Sequence, residues 1–590
     1  MTPLSTWGFS SERVSHYQNY AQENELWNSS QWLRLGHYRK NLWGESHSPI
    51  LGNFFVSPVG ASDPRQELLA TIQLLFEKKE TAQISQCRYL ARTAWLKKVL
   101  PLESEDLVSC PKQEQWKRQL GAEELYIVFA ASDLNSAGSS FGHTFLRVHN
   151  PKNTHELELL DYGINYAAVT GEDSGALYAL KGLSGFYPGA YSMLPYYQKI
   201  REYTNLEGRD LWEYRLDFSK EEVQFLIDHL LELEGSYAPY YFTNENCSKQ
   251  IMELIDVVRP DHDFSGSFEN ISIPLDTVKA LSENNLLKEE KLRMSLQAEW
   301  RSRYSNLGYS EKRSLQNLIE SKDQKILSEL PAKEQAKTLE ATMSYLAIQE
   351  YRQQKDLKHE KYALSVARAR LGNQTDPVEV LKPKSPLQSA DSVAYYFGYG
   401  KFDSHDFYRL KYRRAFHDLL SDDSGLSAFS HLEVMSFEFR YFPELQNLDL
   451  YRWIFIKILS TAPVTELDTP LSWRLDIGTE PRLSPFLNFG AGLSWDFSLF
   501  SQSRFSLFAI SENYDLAEVA KPHLGLEGLL MFKGSWGRSF LSGKYLQNFS
   551  SGEAFPDCGF GISKNVFKSE IRIETRMKDR TPEIALSVVF

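Results

Sequence analysis

The spacing of apolar positions changes character several times along the chain. Residues 20 to 120 carry helical spacing: in "DPRQELLATIQLLFEKK", Asp63 serves as a cap, Pro64 takes the first helical position, and Leu68, Leu69, Ile72 and Leu75 form a stripe. Near residue 124 the period shortens. "ELYIVFA", "HTFLRV" and "HELELLDYGINY" read as strands, the last two joined by the polar turn "NPKNTH", and they predict a small antiparallel sheet. Helical spacing then returns. A capping box of Ser219 and Glu222 opens a helix with Val223, Leu226, Ile227, Leu230 and Leu231 on one stripe, stopping at Gly235. A second helix follows "YYFTNEN", with Cys247, Ile251, Leu254, Ile255 and Val258 on one face and Pro260 as its break. Cys247 is therefore expected on the buried face, in the first turn.

Residues 273 to 372 are polar and mostly helical in pattern, a connector or lid, and Pro383 and Pro386 in "LKPKSPLQS" mark the next boundary. After about residue 388, segments of about ten residues alternate in polarity between turn-formers. In "LSWRLDIG", Leu471, Trp473, Leu475 and Ile477 oppose Ser472, Arg474 and Asp476. Leu487, Phe489, Ala491, Leu493, Trp495 and Phe497 oppose Asn488, Gly490, Gly492, Ser494 and Asp496, and Ile584, Leu586, Val588 and Phe590 share one side of the last strand. About twelve such segments match the even strand number of a closed outer-membrane barrel. A soluble β-sandwich or lipocalin-like barrel would show the same alternation with the apolar face turned inward. The polar face mixes ions with glycines, as a wet lumen would, and the chain ends on an aromatic residue; both favour the membrane barrel.

Composition narrows the picture. A chain of 590 residues implies about three domains. Net charge is −12 and the Lys and Arg residues are scattered, so the basic footprint of a nucleic-acid binder is absent. Aromatics make up 13% of the residues, which the interfacial girdles of a barrel would explain. No apolar run is long enough for a membrane helix. The stretch "MTPLSTWGFSSERVSHYQNY" lacks the pattern of a secretory signal, leaving either a cytosolic protein or a start downstream of a removed signal. Of the 4 cysteines, Cys87, Cys110, Cys247 and Cys558, none has the paired short spacing of a structural zinc site. Cys87 and Cys110 could close a disulfide in an oxidising compartment or remain two buried thiols.

Two chemistries compete around "AGSSFGHTFLRV". Gly138 to Gly142 fits the G-x-S-x-G serine elbow, but that motif needs a helix after Ser140 and "HTFLRV" reads as a strand. A thiol has better support. Cys247 begins a helix, where free N–H groups and the dipole favour a thiolate; Asn244 or Asn246 supplies the cap, leaving the Cys247 N–H free to help form an oxyanion hole. His143 is the candidate base. A hairpin centred in "NPKNTH" places residues near 161 opposite His143, making Asp161 the geometric choice for the residue that orients the imidazole and Asn165 the alternative. The segment "GLSGFYPGAYSMLPYY", with Phe186, Tyr187 and Tyr191, could form a mobile apolar groove over the thiol or a structural Ω-loop. Asp261-His262-Asp263 follows a helix-ending proline with no second cluster, so it reads as a solvated turn, and no metal or other cofactor is expected.

"SSFGHTFLRV", "LLDYGINYAAVTGE", "GLSGFYPGAYSMLPYYQKIREYTNLEGRDLWEY" and "YYFTNENCSKQIMELIDVVRP" together resemble the Lnb-type N-terminal periplasmic domain family of Gram-negative bacteria, over about residues 120 to 260. "WLRLGHYR", "FFVSPVGASDPRQELLAT" and "CRYLARTAWL" are similar to an extra domain that precedes it in one branch of that family. The resemblance implies a papain-like thiol fold with the histidine before the cysteine, and a Cys87–Cys110 disulfide. It also implies lipoprotein N-acyl transfer: Cys247 takes an acyl chain from a phospholipid as a thioester and passes it to a lipoprotein amine, with His143 as base and then acid.

The expected organisation is multidomain, α+β and then all-β: a helical region over 1–120, a permuted papain-like cysteine-enzyme domain over 121–272, a helical connector over 273–385 and an antiparallel β-barrel of about twelve strands over 386–590. Phospholipid and lipoprotein are the expected substrates, and the outer membrane with the active site in the periplasm is the expected location. A cysteine peptidase or amidase acting on cell-wall peptides, and a non-enzymatic barrel protein with a degenerate thiol domain, are the alternatives.

Overall fold

The computed structural model describes residues 11–590 apart from 42, 133, 135–139, 172, 174, 373–379, 466, 482–483, 500, 515–520, 549–550, 568 and 579. Two compact units divide the chain. The first gathers residues up to 131, 142–301 and 344–361; the second comprises 132–141, 302–343 and 362–590.

The first unit is built on an eight-stranded antiparallel sheet. Its strands are β1 (Leu51–Gly52), β2 (Glu124–Ala130), β3 (His143–His149), β4 (Tyr162–Ala168), β5 (Tyr187–Pro195), β6 (Leu211–Leu216), β7 (Ser236–Tyr240) and β8 (Leu287–Arg293). The spatial order is β8-β6-β2-β3-β4-β5-β7-β1. Both faces of β2 are buried, which explains why "ELYIVFA" is a continuous apolar run instead of an alternating one. On one face Tyr126, Val128, Phe145, Tyr196 and Tyr203 pack together. Two expectations change. "HELELL" is not strand but a 3-10 helix, His155–Leu160, and β4 begins only at Tyr162. Leu287–Arg293, inside the stretch read as helical connector, pairs with β6 as an edge strand; its sequence LKEEKLR has too little alternation to announce itself.

Helices of the N-terminal region pack Trp32, Leu35, Leu68, Ile72, Leu75 and Trp95 into one core, which also takes Val257 from the helix Cys247–Val258. The Pro64–Phe76 helix starts as the sequence indicates, with the Asp63 carboxylate accepting from the N–H groups of Arg65 and Gln66. Cys87 and Cys110 form a disulfide with Cα atoms 5.4 Å apart.

In the second unit the strands from Val393–Phe402 to Thr581–Val589 pair in sequence order and close into a twelve-stranded barrel, the first strand bonding to the last. The alternation resolves in favour of a membrane. Leu471, Leu487, Phe489, Trp495, Ile584, Leu586 and Phe590 are exposed on the outside, while Ser472, Arg474, Asp476, Asn488, Ser494 and Ser587 are buried inside. A soluble barrel would invert this. Inside, the polar face is tied into ion pairs. Arg409 pairs with Glu574 (2.7 Å) and Glu438 (3.1 Å), Arg440 with Glu583 (2.6 Å), and Arg474 with Asp476 and Glu527. A cavity of about 290 Å³ remains among these charges.

Residues 418–430, which join the second and third strands, fold into the barrel. The Asp418 carboxylate accepts from Tyr396 (2.8 Å), Arg413 (2.9 Å) and Arg572 (2.7 Å), and the Leu420 carbonyl accepts from Ser563 (2.7 Å). Asp423 pairs with Lys533 and with Arg538. Phe429 packs with Phe508, Ile510, Leu529 and Met531 in an apolar cluster. These partners lie on strands distributed around the barrel, so the segment crosses the lumen. Gly425 permits the crossing: at φ +66 it lies against Pro386, whose nitrogen would stand 2.5 Å from any Cβ.

Candidate functional site

Cys247 is the first residue of its helix, and Asn246 is the cap: its side-chain oxygen accepts from the N–H groups of Ser248 (3.1 Å) and Lys249 (3.3 Å). Asn246 is itself anchored, its amide donating to the carbonyls of Phe242 and Ser272. Asn244 is not part of the cap; it is half-buried and donates to the Glu269 carbonyl. All twelve residues of the helix are buried, not only the apolar stripe. The thiol of Cys247 is buried and faces the N–H groups of Thr144 and Ser248 and the hydroxyl of Tyr240. Burial pushes its pKa up; those donors, and the charge of Arg209, work in the opposite direction. The Cys247 N–H is not free, as the sequence suggested, but donates to the Tyr240 oxygen at 3.4 Å.

His143 opens β3, one residue before the Thr144 N–H that meets the thiol. Gly142 makes the tight approach possible: with φ +80, a Cβ there would stand 2.6 Å from the Phe129 ring and 3.0 Å from the Ala130 carbonyl. The Nε2 of His143 lies 2.6 Å from Oδ1 of Asn165, and its ring stacks on Tyr203 at 5.8 Å. Tyr203 sits on the π-turn Arg201–Leu206 and is also within electrostatic reach of Cys247. Among the described residues no hydrogen bond joins imidazole and thiol directly. Burial lowers the His143 pKa to about 3; the bond to Asn165 opposes this, and the charges of Arg209 and Lys199 add to it.

Asp161 does not reach His143. Its carboxylate accepts from Asn153 (2.8 Å), binds the Nδ1 of His149 (2.7 Å), and lies 3.7 Å from Arg147. The register explains the difference. The observed pairs Leu146↔Ile164, Arg147↔Gly163 and Val148↔Tyr162 put position 149 opposite 161, because the 6 residues of the 3-10 helix lengthen the connection. Asn165 is thereby brought onto the diagonal from His143.

The three aromatic residues of the expected groove divide. Phe186 is exposed, Tyr187 is buried and donates to Asp173 (2.8 Å), and Tyr191 donates to the Gln250 carbonyl (2.9 Å) on the Cys247 helix. Tyr191 also lines a cavity of about 530 Å³ with Trp116, Ile164, Met193, Ile227 and Leu231. In the serine motif, Gly138 and Ser139 lie outside the described residues; a strand, not a helix, follows Ser140. Asp261, His262 and Asp263 are exposed in a turn, and Asp263 pairs with Arg34 at 2.9 Å.

Sequence patterns gave no sign of a clamp on the Cys247 helix. Glu253, on that helix, is buried and pairs with Arg39 and with Nδ1 of His37 (2.8 Å), whose Nε2 meets Nε2 of His229 at 3.0 Å. Arg39 also bonds Glu245 at 2.6 Å, just ahead of the cap. Single ions in "GHYRK" carry no periodic signal, so only their convergence in space reveals them.

A family model described as the Lnb N-terminal periplasmic domain matches residues 112–284. Two models of domains of unknown function, DUF7843 and DUF7840, match residues 24–99 and 383–588. No curated protein matches the chain. Among solved structures, the KdgM porin is similar at 12% identity over 34% of this chain and 98% of its own, with a TM-score of 0.21. The KdgM porin in complex with disordered oligogalacturonate gives 10% identity over the same shares and a TM-score of 0.22. A closed barrel with an apolar outer belt is an architecture that spans outer membranes. Residues 112–284 thus match the model of the Lnb N-terminal periplasmic domain, on a chain whose closed twelve-stranded barrel, apolar on its outer face, is of the outer-membrane type.

Proposed function

We propose that the first unit is a papain-like thiol acyltransferase, moving an acyl chain from phospholipid to the N-terminal amine of a lipoprotein. The observation that carries this reading is the convergence of two chain segments. The Cys247 thiol, at a capped helix start, meets the N–H of Thr144, and the neighbouring His143 is oriented by Asn165.

With its Nε2 hydrogen committed to Asn165, the neutral imidazole keeps a lone pair on Nδ1. The thiol gives its proton to that nitrogen as sulfur attacks the ester carbonyl of a phospholipid. The C–O bond then breaks, the lysophospholipid oxygen takes the proton from His143, and a thioester remains on Cys247. A lipoprotein amine attacks the thioester, loses a proton through His143, and regenerates the thiol. To receive the developing oxyanion, the Cys247 N–H must exchange the Tyr240 oxygen, which it meets at 3.4 Å in the resting site, for the substrate oxygen, with the Tyr240 hydroxyl as the neighbouring donor. Burial holds the Tyr240 pKa well above its ordinary value, so it stays a donor. Both resting partners are neutral, so the proton moves during attack and no ion pair is formed beforehand.

Amide hydrolysis of cell-wall peptides would use the same residues. Mass spectrometry of a Cys247→Ser variant purified from membranes separates the readings. A trapped acyl ester on residue 247 supports acyl transfer, a peptidyl ester supports the amidase, and an unmodified serine with unchanged lipoproteins and cell wall in cells counts against both.

A further inference from the structure

The helix Gly175–Ser184 presents an apolar arc to solvent. Leu177, Leu180 and Leu183 are 51%, 65% and 56% exposed, and Phe186, just past its end, is 76% exposed. Val169, whose N–H bonds the Pro188 carbonyl, is also exposed. Lys181 on this helix has its charge paired with Asp173 at 2.7 Å.

The opposite side of the helix packs on the loop that leads to Cys247. Tyr178 packs on Phe242 at 5.0 Å and lies within electrostatic reach of Cys247. Gly182 lets the Phe242 ring lie against the helix backbone and accepts the Phe242 N–H at 2.9 Å; Tyr241 lies against Gly185. Phe242 is in the loop that leads directly to Cys247. One short helix therefore touches the catalytic loop with one side and offers leucines on the other.

We propose that this apolar arc inserts into the surface of a lipid bilayer, so that phospholipid acyl chains reach Cys247 from the membrane. A bilayer fits better than a protein partner for two reasons. Ser184, the polar residue among these leucines, spends its hydroxyl on the Leu180 carbonyl at 2.7 Å, which leaves little to set a docking register, and hydrocarbon needs none. The chain also carries its own membrane barrel, which tethers this unit to a bilayer and raises the effective concentration of that surface. The role in substrate delivery rests on the acyl-transfer reading; the membrane contact does not.

The test uses the full chain in phospholipid proteoliposomes. A nitroxide is placed at Leu180→Cys in a background with both free cysteines, Cys247 and Cys558, changed to serine. Greater accessibility to oxygen than to a water-soluble nickel chelate is expected. Preferential access to the chelate overturns the proposal, and so does an immobilised label reached by neither reagent, which would mean a protein partner or second copy. In a second measurement, Leu180→Asp with Leu183→Asp should slow Cys247 acylation from vesicles by about tenfold or more. Acylation by a water-soluble aryl ester should be retained. Equal loss with both donors, or no loss with vesicles, counts against membrane delivery. If the unsubstituted protein is acylated by neither donor, the acyl-transfer reading fails while the nitroxide result still decides the membrane contact.

Discussion

The Nε2 atom of His143 lies 2.6 Å from Oδ1 of Asn165, while the carboxylate of Asp161 is bound to His149 at 2.7 Å. The amide, not the carboxylate, orients the imidazole. Asn165→Ala should therefore lower the rate of Cys247 acylation by about a hundredfold with little change in melting temperature. Asp161→Asn should act on stability instead, because the buried carboxylate holds His149 and Asn153 and adds to the charge around Arg147. A variant pair in which Asp161→Asn abolishes acylation and Asn165→Ala does not would overturn the assignment.

The pH dependence of acylation follows from the low pKa of His143. An unperturbed histidine titrates near 6.5, whereas this imidazole stays neutral down to about 3. The rate constant for acylation should stay flat from neutral pH down to about pH 5. An acid limb centred near the ordinary histidine value would contradict it.

Stability runs the other way. The folded pKa of His143 is depressed from 6.5 to about 3, and that of buried His229 well below 6.5, so the unfolded chain binds protons that the folded chain refuses. Their contribution is fully present above 6.5 and is lost as pH falls from there toward 3. The slope is at most about 1.4 kcal/mol per pH unit for each group. Denaturant midpoints of the first unit's unfolding, followed as pH is lowered below neutrality, measure it.

The Cys87–Cys110 disulfide closes a loop with a sequence separation of 23. Chain entropy assigns such a crosslink about 3 kcal/mol. Cys87→Ser with Cys110→Ser should lower the unfolding midpoint accordingly, and an unchanged midpoint would mean that the crosslink does not constrain the unfolded chain.

The plug makes a prediction about the barrel. With residues 418–430 latched across the lumen through Asp418 and Asp423, the protein should show no open-channel conductance in planar bilayers. Replacing 419–429 by a short glycine linker should produce discrete conductance steps. Steady conductance by the unaltered protein would show that the lumen is open.

Arg39→Ala should destabilise the first unit by about 3 kcal/mol, because Glu253 is left buried without its main counter-charge. The loss should be fully developed at neutral pH, where that carboxylate is ionised, and should shrink in acid as Glu253 of the variant takes up a proton. Thermal melts of the variant and of Arg39→Lys, which restores the charge, check this.

Much of this was legible before folding. The helical stripe after "NENC", the capping asparagine and the Asp63-Pro64 helix start depend on residues a turn apart, and such contacts form wherever the segment is placed. Barrel strands were readable because period-two alternation separates their two faces whatever their neighbours. The orienting residue was less accessible. Choosing between Asp161 and Asn165 required the strand register, and the 3-10 helix at His155–Leu160, whose apolar residues imitate a strand, moved that register by its own length. The Arg39, His37, His229 and Glu253 clamp was invisible, since its members come from segments far apart in the chain.

The chain by itself determined periodicity, helix starts and the two faces of each strand, because those depend on neighbours within a few residues. Tertiary structure alone decided the register that gives Asn165 to His143, the folding of 418–430 into the lumen, and the exposure of the leucines on Gly175–Ser184. Each of these is a meeting, or a missed meeting, of distant segments, and no local pattern encodes which distant surface a side chain will find.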